Sequence, residues 1–327
     1  PKGIVLSHRS MVWRIPIYAF DFGFGPADTW LSITPLAQGG GRAFAMAHLI
    51  RGGTVLIDPD FDPARALATI ARERVTTCFM VPTMFRRLLA ASDVAGADTG
   101  SLRCLISSGA ALPRETREGI LERITPNLYQ FYSSTESGGI TVLPPWLQAV
   151  KGDSVGLSVF GKELRLGEGD EILSRGPAVM TEYFRNPEAT AAAFRGDWYC
   201  PGDIGRFDED GFLHIVGRKK EMIITGGLNV YPAEVERVLY MHPAVAEAAV
   251  VGCPDREWGE IVKAFVQLRP GRTVTEADLI DHCRAHMASY KKPKAVEFLA
   301  ELPRTSSGKI AKQLLAEGAP LAPGRPR

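Results

Sequence analysis

The 327-residue sequence predicts an α/β protein: a large N-terminal domain of mostly parallel sheet with helices plus a small β-barrel-like region, followed by a small α+β C-terminal domain. Short apolar runs alternate with helical stretches over the first 140 residues. After Gly138, short runs are broken by Gly, Pro and Asp, which indicates antiparallel strands. Beyond residue 217 the pattern becomes α+β.

Short apolar or β-branched runs predict the strands of the parallel sheet at 31–34, 53–57, 76–81, 102–107 and 128–132. Helices are predicted between them, at about 41–50, 63–73, 83–91 and 113–123. Pro113 followed by Glu115 is typical of a helix start. Strands that alternate with helices of about 10–15 residues predict a parallel sheet covered on both faces.

The later elements follow from local patterns. "DEDGF" between "IGRF" and "FLHIV" predicts a tight hairpin. "YPAEVERVLYM" and "TEADLIDHCRAHM" predict helices, and the second begins with a capping box of Thr275 and Asp278. "AVAEAAVVG" and "IVKAFVQL" predict strands. We expect an N-terminal domain at 1–218, a mobile C-terminal domain at 219–316 and a disordered Pro/Gly-rich tail at 317–327.

Composition excludes several classes of protein. The net charge is +1, from 38 Lys and Arg against 37 Asp and Glu, so no general attraction to nucleic acid or anionic membrane is expected. Five cysteines without a C-x-x-C pair indicate neither a disulfide framework nor a zinc site, and they favour a reduced, cytoplasmic setting. No apolar run approaches the roughly 18–20 residues that a membrane helix needs.

The stretch "FYSSTES" (131–137) follows a predicted strand and carries chemically useful side chains. Tyr132 offers a flat face to a base, Thr135 can donate to a phosphate, and Glu136 can hold Mg²⁺ together with phosphate oxygens. The alternative for this stretch is a polar loop at a strand end.

Other strand ends carry further candidates. In "SSGAALP", Gly109, Ala110 and Ala111 expose backbone against which a planar ring can lie, since ligands bind at the carboxyl ends of strands in open α/β sheets. Asp203 can accept both hydroxyls of a ribose, and Arg218 can reach the same sugar or a phosphate. The alternatives are a plain strand-to-helix turn, a turn aspartate and a surface cation.

Two lysines lie in glycine-containing segments near the ends of the sequence. Lys309, in "LPRTSSGKIAKQ", places one ammonium on a polar loop that can enter and leave a site. Lys2, in "PKGIVLSHRS", matches the downstream end of a phosphate-holding loop. A solvated surface charge is the alternative for Lys309.

Together the motifs "YSSTE", "GDIGRFDEDGFLHIVGRKKEMIITGGLNVYPAEVE" and "PRTSSGKI" resemble, in order, those of the AMP-forming acyl-CoA synthetases. These enzymes belong to the adenylate-forming superfamily, with luciferases and non-ribosomal peptide adenylation domains. The resemblance covers residues 1 to about 315. It implies an N-terminally incomplete member, lacking the hydroxyl-rich part of the phosphate loop and well over a hundred residues of the domain, so we expect the chain alone to be incomplete for activity.

The resemblance implies that a carboxylic acid is joined to AMP with release of pyrophosphate and then transferred to CoA, with ATP and Mg²⁺ required. Carried over residue by residue, the resemblance implies that Tyr132 stacks on adenine opposite Gly109, Ala110 and Ala111, and that Asp203 binds the ribose with help from Arg218. It implies that Thr135 contacts phosphate, that Glu136 ligates Mg²⁺ and that Lys2 contacts the β- and γ-phosphates. Lys309 is implied to bridge the carboxylate and the α-phosphate.

For the thioester step, the resemblance implies a hinge at Lys220 and a pantetheine tunnel lined by Gly226 and Gly227, with 254–260 at its entrance. A glycine pair can also form a simple bend. The sequence departs from the family pattern at Ser133, Pro201 and Gln38, where glycine, threonine and histidine are common.

The acyl pocket is expected between 37–41, 107–109 and 133–140, where most residues are small. Small residues leave volume for a medium-chain, alicyclic or aromatic acid; alternatively, the glycines only permit tight turns. Two other functions stay open: adenylation for a carrier-protein phosphopantetheine, and an inactive nucleotide-binding fragment. The sequence does not specify the acid, the oligomeric state or the pathway.

Overall fold

A computed structural model describes residues 2–37, 39–58, 60–305 and 310–317. The chain divides into two compact units, Pro1–Ile215 and Val216–Arg327. The division falls inside a strand that ends at Arg218, where the sequence predicts the end of the N-terminal domain. The predicted tail lies outside the described residues except for Glu317, which caps the last helix.

The first unit contains helices and strands in alternation over its first half. Its helices are α1 (His8–Asp21), α2 (Gly39–Ile50), α3 (Pro63–Arg72), α4 (Pro82–Leu89), α5 (Arg114–Arg123), α6 (Gln148–Lys151) and α7 (Pro187–Ala192). Its strands are β1 (Ile4–Val5), β2 (Thr29–Ser32), β3 (Thr54–Ile57), β4 (Thr77–Met80), β5 (Cys104–Ser108), β6 (Leu128–Ser134), β7 (Gly138–Leu143), β8 (Leu157–Ser158), β9 (Glu163–Leu166), β10 (Ile172–Arg175), β11 (Glu182–Tyr183), β12 (Phe194–Arg195), β13 (Trp198–Tyr199), β14 (Asp203–Phe207) and β15 (Leu213–Arg218), which continues into the second unit.

Among the described residues, the main sheet has the strand order β3-β2-β4-β5-β6-β7-β8. The strands from β3 to β6 are parallel, and β7 and β8 are antiparallel to their neighbours. Side chains alternate between two cores: Phe79 on β4 packs with α1 and α2, whereas Cys78 and Met80 pack with α3, α4 and α5. The predicted parallel sheet covered on both faces is therefore confirmed.

Helix α1 is absent from the sequence prediction, which assigned no element between Lys2 and 31. The hydroxyl oxygen of Ser7 caps the helix by accepting a hydrogen bond from the Ser10 N–H at 3.1 Å. Pro16 lies inside the helix and weakens its sequence signal. Its inner side buries Arg14, Ile17 and Tyr18, so packing stabilises the helix where local propensity does not.

The region after β8 is antiparallel, as predicted. Its described strands form a four-stranded sheet of order β12-β13-β10-β9, with two-stranded pairs β1-β11 and β14-β15, and they do not close into a barrel. The predicted hairpin at "DEDGF" joins β14 to β15. The stretch 159–173 forms the β9-β10 hairpin, with Ile172 opposite Leu166.

The second unit is α+β, as predicted. Its elements are β16 (Ile223–Thr225), β17 (Leu228–Val230), α8 (Pro232–Leu239), β18 (Val245–Asp255), β19 (Gly259–Leu268), α9 (Glu276–His286), β20 (Ala295–Phe298) and α10 (Lys312–Ala316). The described strands form one sheet in the order β17-β16-β19-β18, and β20 pairs with β19 in parallel. The predicted capping box of Thr275 and Asp278 opens α9.

Short 3₁₀ helices occupy Ser92–Gly96, Pro145–Leu147, Glu168–Asp170, Lys219–Glu221 and Ser289–Lys291. All five cysteines carry free thiols. In the part of the chain that the structure describes, no helix is both long enough and apolar enough to cross a membrane.

Candidate functional site

The predicted adenine segment and the predicted phosphate loop meet at one edge of the main sheet. Strands β5 and β6 are parallel neighbours, so their carboxyl ends lie side by side. Residues 109–111 follow β5, and the Ser108 hydroxyl lies 3.5 Å from the Ser133 hydroxyl near the end of β6. Gly109 has φ +89°, a conformation that favours glycine at this turn.

The residues predicted to bind adenine and ribose, Tyr132 and Asp203, are hydrogen-bonded to each other. The Tyr132 hydroxyl donates a hydrogen bond to Asp203 Oδ2 at 2.5 Å. Asp203 opens β14 and is only 5% exposed. A buried carboxylate whose one oxygen accepts a hydrogen bond from a phenol has limited freedom to rotate. The two side chains therefore form an ordered polar pair beside the edge of the sheet.

Lys2 and Glu136 are brought to opposite parts of a third side chain, Tyr183. The Tyr183 hydroxyl donates to Glu136 Oε1 at 2.9 Å, and the Lys2 ammonium lies 4.2 Å from the centre of the Tyr183 ring. Burial, followed by the bond to Glu136 and its charge, raises the pKa of Tyr183 to about 12. The two predicted phosphate-site residues therefore share one aromatic support.

The backbone of the 135–137 loop is held from the protein interior by Arg14 on α1. Arg14 Nη2 donates to the carbonyl oxygen of Thr135 at 2.9 Å and to that of Glu136 at 3.4 Å. The same guanidinium also donates to the Ala178 carbonyl, at 3.2 and 3.3 Å. The carbonyls of the loop are thus occupied by a buried cation.

Lys162, between β8 and β9, continues this support. Its buried ammonium donates to the Ser137 carbonyl at 2.9 Å and to the Ser137 hydroxyl at 3.0 Å. Burial, and then the charge of Arg14, lower the pKa of Lys162 to about 7. The Ser137 hydroxyl also lies 3.1 Å from that of Ser174, so the polar groups beneath the loop are paired.

Sequence reasoning missed Arg14, Lys162 and Tyr183. Arg14 lies in the unpredicted helix α1, where the usable signal was an arginine three and four residues before the buried Ile17 and Tyr18. Lys162 lies in a hairpin that matches no motif. Their roles arise from tertiary packing, which local patterns do not encode.

The packing around the predicted acyl pocket favours the alternative interpretation of its glycines. A Cβ at Gly39 would meet Thr135 Oγ1 at 2.9 Å, and one at Gly40 would meet the Phe79 ring at 3.0 Å. At Gly41 the nearest atom is the Pro35 carbonyl oxygen, at 2.7 Å. These glycines allow close packing and do not by themselves leave open volume. Gln38 lies outside the described residues.

In the second unit, Gly226 and Gly227 form the turn of the β16-β17 hairpin, with φ +56° and +79°. The Gly226 N–H donates to the Trp258 carbonyl at 2.9 Å, and a Cβ at Gly226 would lie 2.8 Å from the Trp258 ring. At Gly227, no atom of the described residues lies within 4 Å of an added Cβ. The predicted thiol-tunnel glycines and the 254–260 segment are therefore neighbours, although a tight turn alone also explains the glycine pair.

Lys309 lies outside the described residues, but both flanks of its segment are fixed. Arg304 and Ile310 form an antiparallel bridge, and the Ala311 N–H donates to the Pro303 carbonyl at 2.8 Å. Lys312 then bridges Glu236 at 2.7 Å and Glu221 at 3.1 Å. Glu221 directly follows the predicted hinge residue Lys220 in the 3₁₀ helix after Arg218, the last residue of β15.

The fit of Mg²⁺ can be judged from the donor set. Among the described residues, no group of three or more His, Cys, Asp or Glu side chains can hold a metal ion. Mg²⁺ is usually held by one or two carboxylates together with substrate phosphates and water. One carboxylate, Glu136, next to a hydroxyl-bearing loop therefore fits this metal, with the nucleotide supplying the other oxygens.

The chain is similar to known proteins over most of its length. An AMP-binding enzyme family model matches residues 1–184, and an AMP-binding enzyme C-terminal domain model matches residues 234–309. A feruloyl-CoA synthase from Amycolatopsis sp is 38% identical over 95% of this chain. A 2-succinylbenzoate–CoA ligase from Geobacillus kaustophilus is 38% identical over 96% of it. The chain spans 66% of the length of each relative.

Solved structures agree. An amide bond synthetase from Marinactinospora thermotolerans superposes with a TM-score of 0.92 at 33% identity, over 97% of this chain and 66% of that one. The o-succinylbenzoate CoA synthetase from Bacillus subtilis, in complex with ATP and a magnesium ion, gives 0.87 at 33% identity, over 96% of this chain and 67% of that one. With the sequence motifs, the fold and these matches in agreement, the chain belongs to the AMP-binding enzyme family.

Proposed function

We propose that the protein activates a carboxylic acid with ATP as an acyl-adenylate and then transfers the acyl group to CoA. The observation that best supports this is the Tyr132–Asp203 hydrogen bond beside the 135–137 loop, because it joins a base-stacking ring to a ribose-binding carboxylate. The named CoA ligases among the relatives support the same reaction.

On the adenosine side, the Tyr132 ring and the backbone of Gly109, Ala110 and Ala111 hold the base between them. Asp203 accepts hydrogen bonds from the ribose hydroxyls through its carboxylate oxygens. Arg218, at the end of β15, supplies a cation for the sugar or the phosphates. These contacts orient the α-phosphate for in-line attack.

On the phosphate side, the Thr135 hydroxyl donates to a phosphate oxygen, and Lys2 neutralises charge on the β- and γ-phosphates. Glu136 provides the protein carboxylate for Mg²⁺. When bound, Mg²⁺ offsets phosphate charge that would otherwise repel the incoming carboxylate. Arg14 adds positive charge behind the same loop, and Lys162 adds a second charge while it is protonated.

In the first step the substrate carboxylate attacks the α-phosphorus, a new C(O)O–P bond forms, and the bond to the β-phosphate oxygen breaks to release pyrophosphate. In this proposal Lys309 supplies the cation that offsets repulsion between the two anions and stabilises the charge at the pentavalent phosphorus. Rotation at Lys220 then presents Gly226 and Gly227 to the pantetheine chain. In the second step the CoA thiolate attacks the acyl carbon and AMP leaves.

The acid is proposed to be aromatic. Two of the relatives are named for ferulate and 2-succinylbenzoate, which are both aromatic carboxylic acids, whereas a 38% identical relative from Mycobacterium tuberculosis is named for a propanoyl group on an alicyclic indene ring system. The packed glycines at 39–41 give no independent measure of pocket volume. A panel that pairs each aromatic acid with a medium-chain and an alicyclic acid, read by pyrophosphate release, tests this choice.

The experiment that tests the reaction compares two half-reactions in Lys309→Ala. Loss of the ammonium should slow adenylation by about 10²–10³-fold, a barrier increase of roughly 2.7–4 kcal/mol, while thioester formation from preformed acyl-AMP is largely kept. Lys263→Ala is the matched control, since Lys263 pairs with Glu297 on the neighbouring strand. An equal loss in both half-reactions would refute the division of labour between Lys309 and the glycine turn.

The acceptor and the nucleotide site need separate tests. Assays with free CoA and with a holo-carrier protein distinguish CoA ligation from carrier loading. Calorimetric titration of the chain with ATP tests the nucleotide site directly. A folded protein that binds neither ATP nor an acyl-AMP mimic would instead be an inactive fragment.

A further inference from the structure

Tyr183 lies between the two predicted phosphate ligands although no motif marks it. It is the last residue of β11 and pairs with Ile4 of β1, the strand that directly follows Lys2 and Gly3. The side chain is 5% exposed. Its hydroxyl bonds to Glu136 Oε1 and its ring lies beneath the Lys2 ammonium.

The Tyr183 hydroxyl is the donor in its bond to Glu136. The two oxygens are 2.9 Å apart, and a carboxylate oxygen can only accept, so the proton of this bond belongs to the phenol.

Glu136 is consequently fixed at both ends. Its carbonyl accepts bonds from the Met180 N–H at 2.6 Å and from Arg14 at 3.4 Å, and its carboxylate is held through Oε1 by Tyr183. No described residue bonds to the other carboxylate oxygen, which can therefore accept a ligand. A carboxylate held in this way needs no reorientation when a cation binds.

Lys2 is supported without being neutralised. An ammonium over an aromatic face is attracted to the ring quadrupole, which is weaker than an ion pair with a carboxylate. The ring places Lys2 near Glu136 while leaving its charge for phosphate oxygens. Tyr183 therefore couples the cation ligand to the lysine of the phosphate segment.

We propose that Tyr183 is a positioning residue of the phosphate site: it orients Glu136 toward the divalent cation through its hydroxyl and holds Lys2 beside it through its ring. The inference rests on the proposed function, because it requires that Glu136 and Lys2 bind the metal-bound triphosphate of ATP.

The test separates hydroxyl from ring. Tyr183→Phe removes the hydroxyl and keeps the ring with its packing, whereas Tyr183→Leu removes the hydroxyl and the ring. Tyr129→Phe is a matched control at a buried tyrosine on β6 away from the loop. Mn²⁺ is titrated by electron paramagnetic resonance in the presence of ATP, and ATP is titrated calorimetrically without metal. Substitution of groups that hold a metal ligand typically costs 10–100-fold in affinity.

We expect Tyr183→Phe to weaken Mn²⁺ binding by that factor and to leave metal-free ATP binding unchanged. Tyr183→Leu should weaken both, and Tyr129→Phe neither. Unchanged Mn²⁺ affinity in Tyr183→Phe, or an equal loss with and without metal, would overturn the proposal.

A double-mutant cycle with Glu136→Gln provides a second test. If Tyr183 acts through Glu136, Tyr183→Phe should cause no further loss of Mn²⁺ affinity once Glu136 is replaced, and additive losses would contradict the inference. A wild-type protein that shows no ATP-dependent Mn²⁺ binding would refute the proposed function itself. Failure of the proposed function is therefore seen in the wild-type protein alone, whereas failure of the inference about Tyr183 is seen only when the variants are compared with it.

Discussion

Replacing Lys162 by methionine should remove a pH-dependent part of the stability of the protein. Lys162 is 7% exposed, and within the described part of the chain its ammonium donates to the carbonyl and hydroxyl of Ser137. Burial and the neighbouring Arg14 charge lower its pKa from 10.5 to about 7. In the unfolded chain the same amine keeps its ordinary pKa.

The sign follows from proton binding. Between the two pKa values the unfolded chain binds about one more proton than the folded protein, so the free energy of unfolding rises with pH. The stabilising effect is complete above the unfolded pKa of 10.5, decreases progressively as pH falls, and is lost once pH has fallen through about 7. One pKa unit corresponds to about 1.4 kcal/mol. Allowing for half-protonation at the lower end, the wild type should gain about 2 kcal/mol relative to Lys162→Met between pH 7 and 9.

Urea denaturation of wild type and Lys162→Met across this pH range measures the difference, and groups common to both proteins cancel. Lys263→Met, at a lysine paired with Glu297 on the sheet surface, serves as the control and should show a much flatter difference. A wild-type advantage that stays constant from pH 7 to 9, or one that shrinks, would refute the argument that a buried amine titrates beneath the loop.

Two further predictions concern stability. Gly156→Ala should lower the free energy of unfolding by about 3 kcal/mol or more, because Gly156 has φ +92° and a Cβ there would overlap the Val142 carbonyl. Gly211→Ala should cost only about 1–2 kcal/mol, because Gly211 has φ +82° but a Cβ there would enter open space. Equal losses in urea denaturation would contradict this reasoning. Lys312→Met leaves Glu236, whose side chain is 16% exposed, without the ammonium that pairs with it, and should lower the free energy of unfolding by about 3 kcal/mol. Much of this stability should be recovered when Glu236 is also replaced by leucine.

The parallel sheet could be predicted because its strands are short apolar runs set between helices. Burial on both faces makes β4 and β5 nearly continuous in apolar residues, and this signal is local. The α1 helix escaped prediction because Pro16 and mixed polarity hide it, and only its contacts with the sheet hold it in place.

The site shows the same division. Tyr132, Glu136 and Asp203 could be proposed as site residues from the sequence because each lies in a motif or at a strand end, and in the structure Tyr132 is hydrogen-bonded to Asp203. Tyr183 and Lys162 act through residues far away in sequence, so no window of the chain reveals them.

The inward-facing carbonyls of residues 135–137 affect how binding energy is used. Arg14 and Lys162 order this loop in the protein alone, so the backbone entropy of about 1–2 kcal/mol per residue is lost during folding and not on association. A nucleotide that contacts the loop therefore binds without the free-energy cost of ordering it, and its affinity is higher by that amount. In a variant without the inner cations, the same entropy would be lost at the binding step, and weak affinity would accompany an otherwise intact fold.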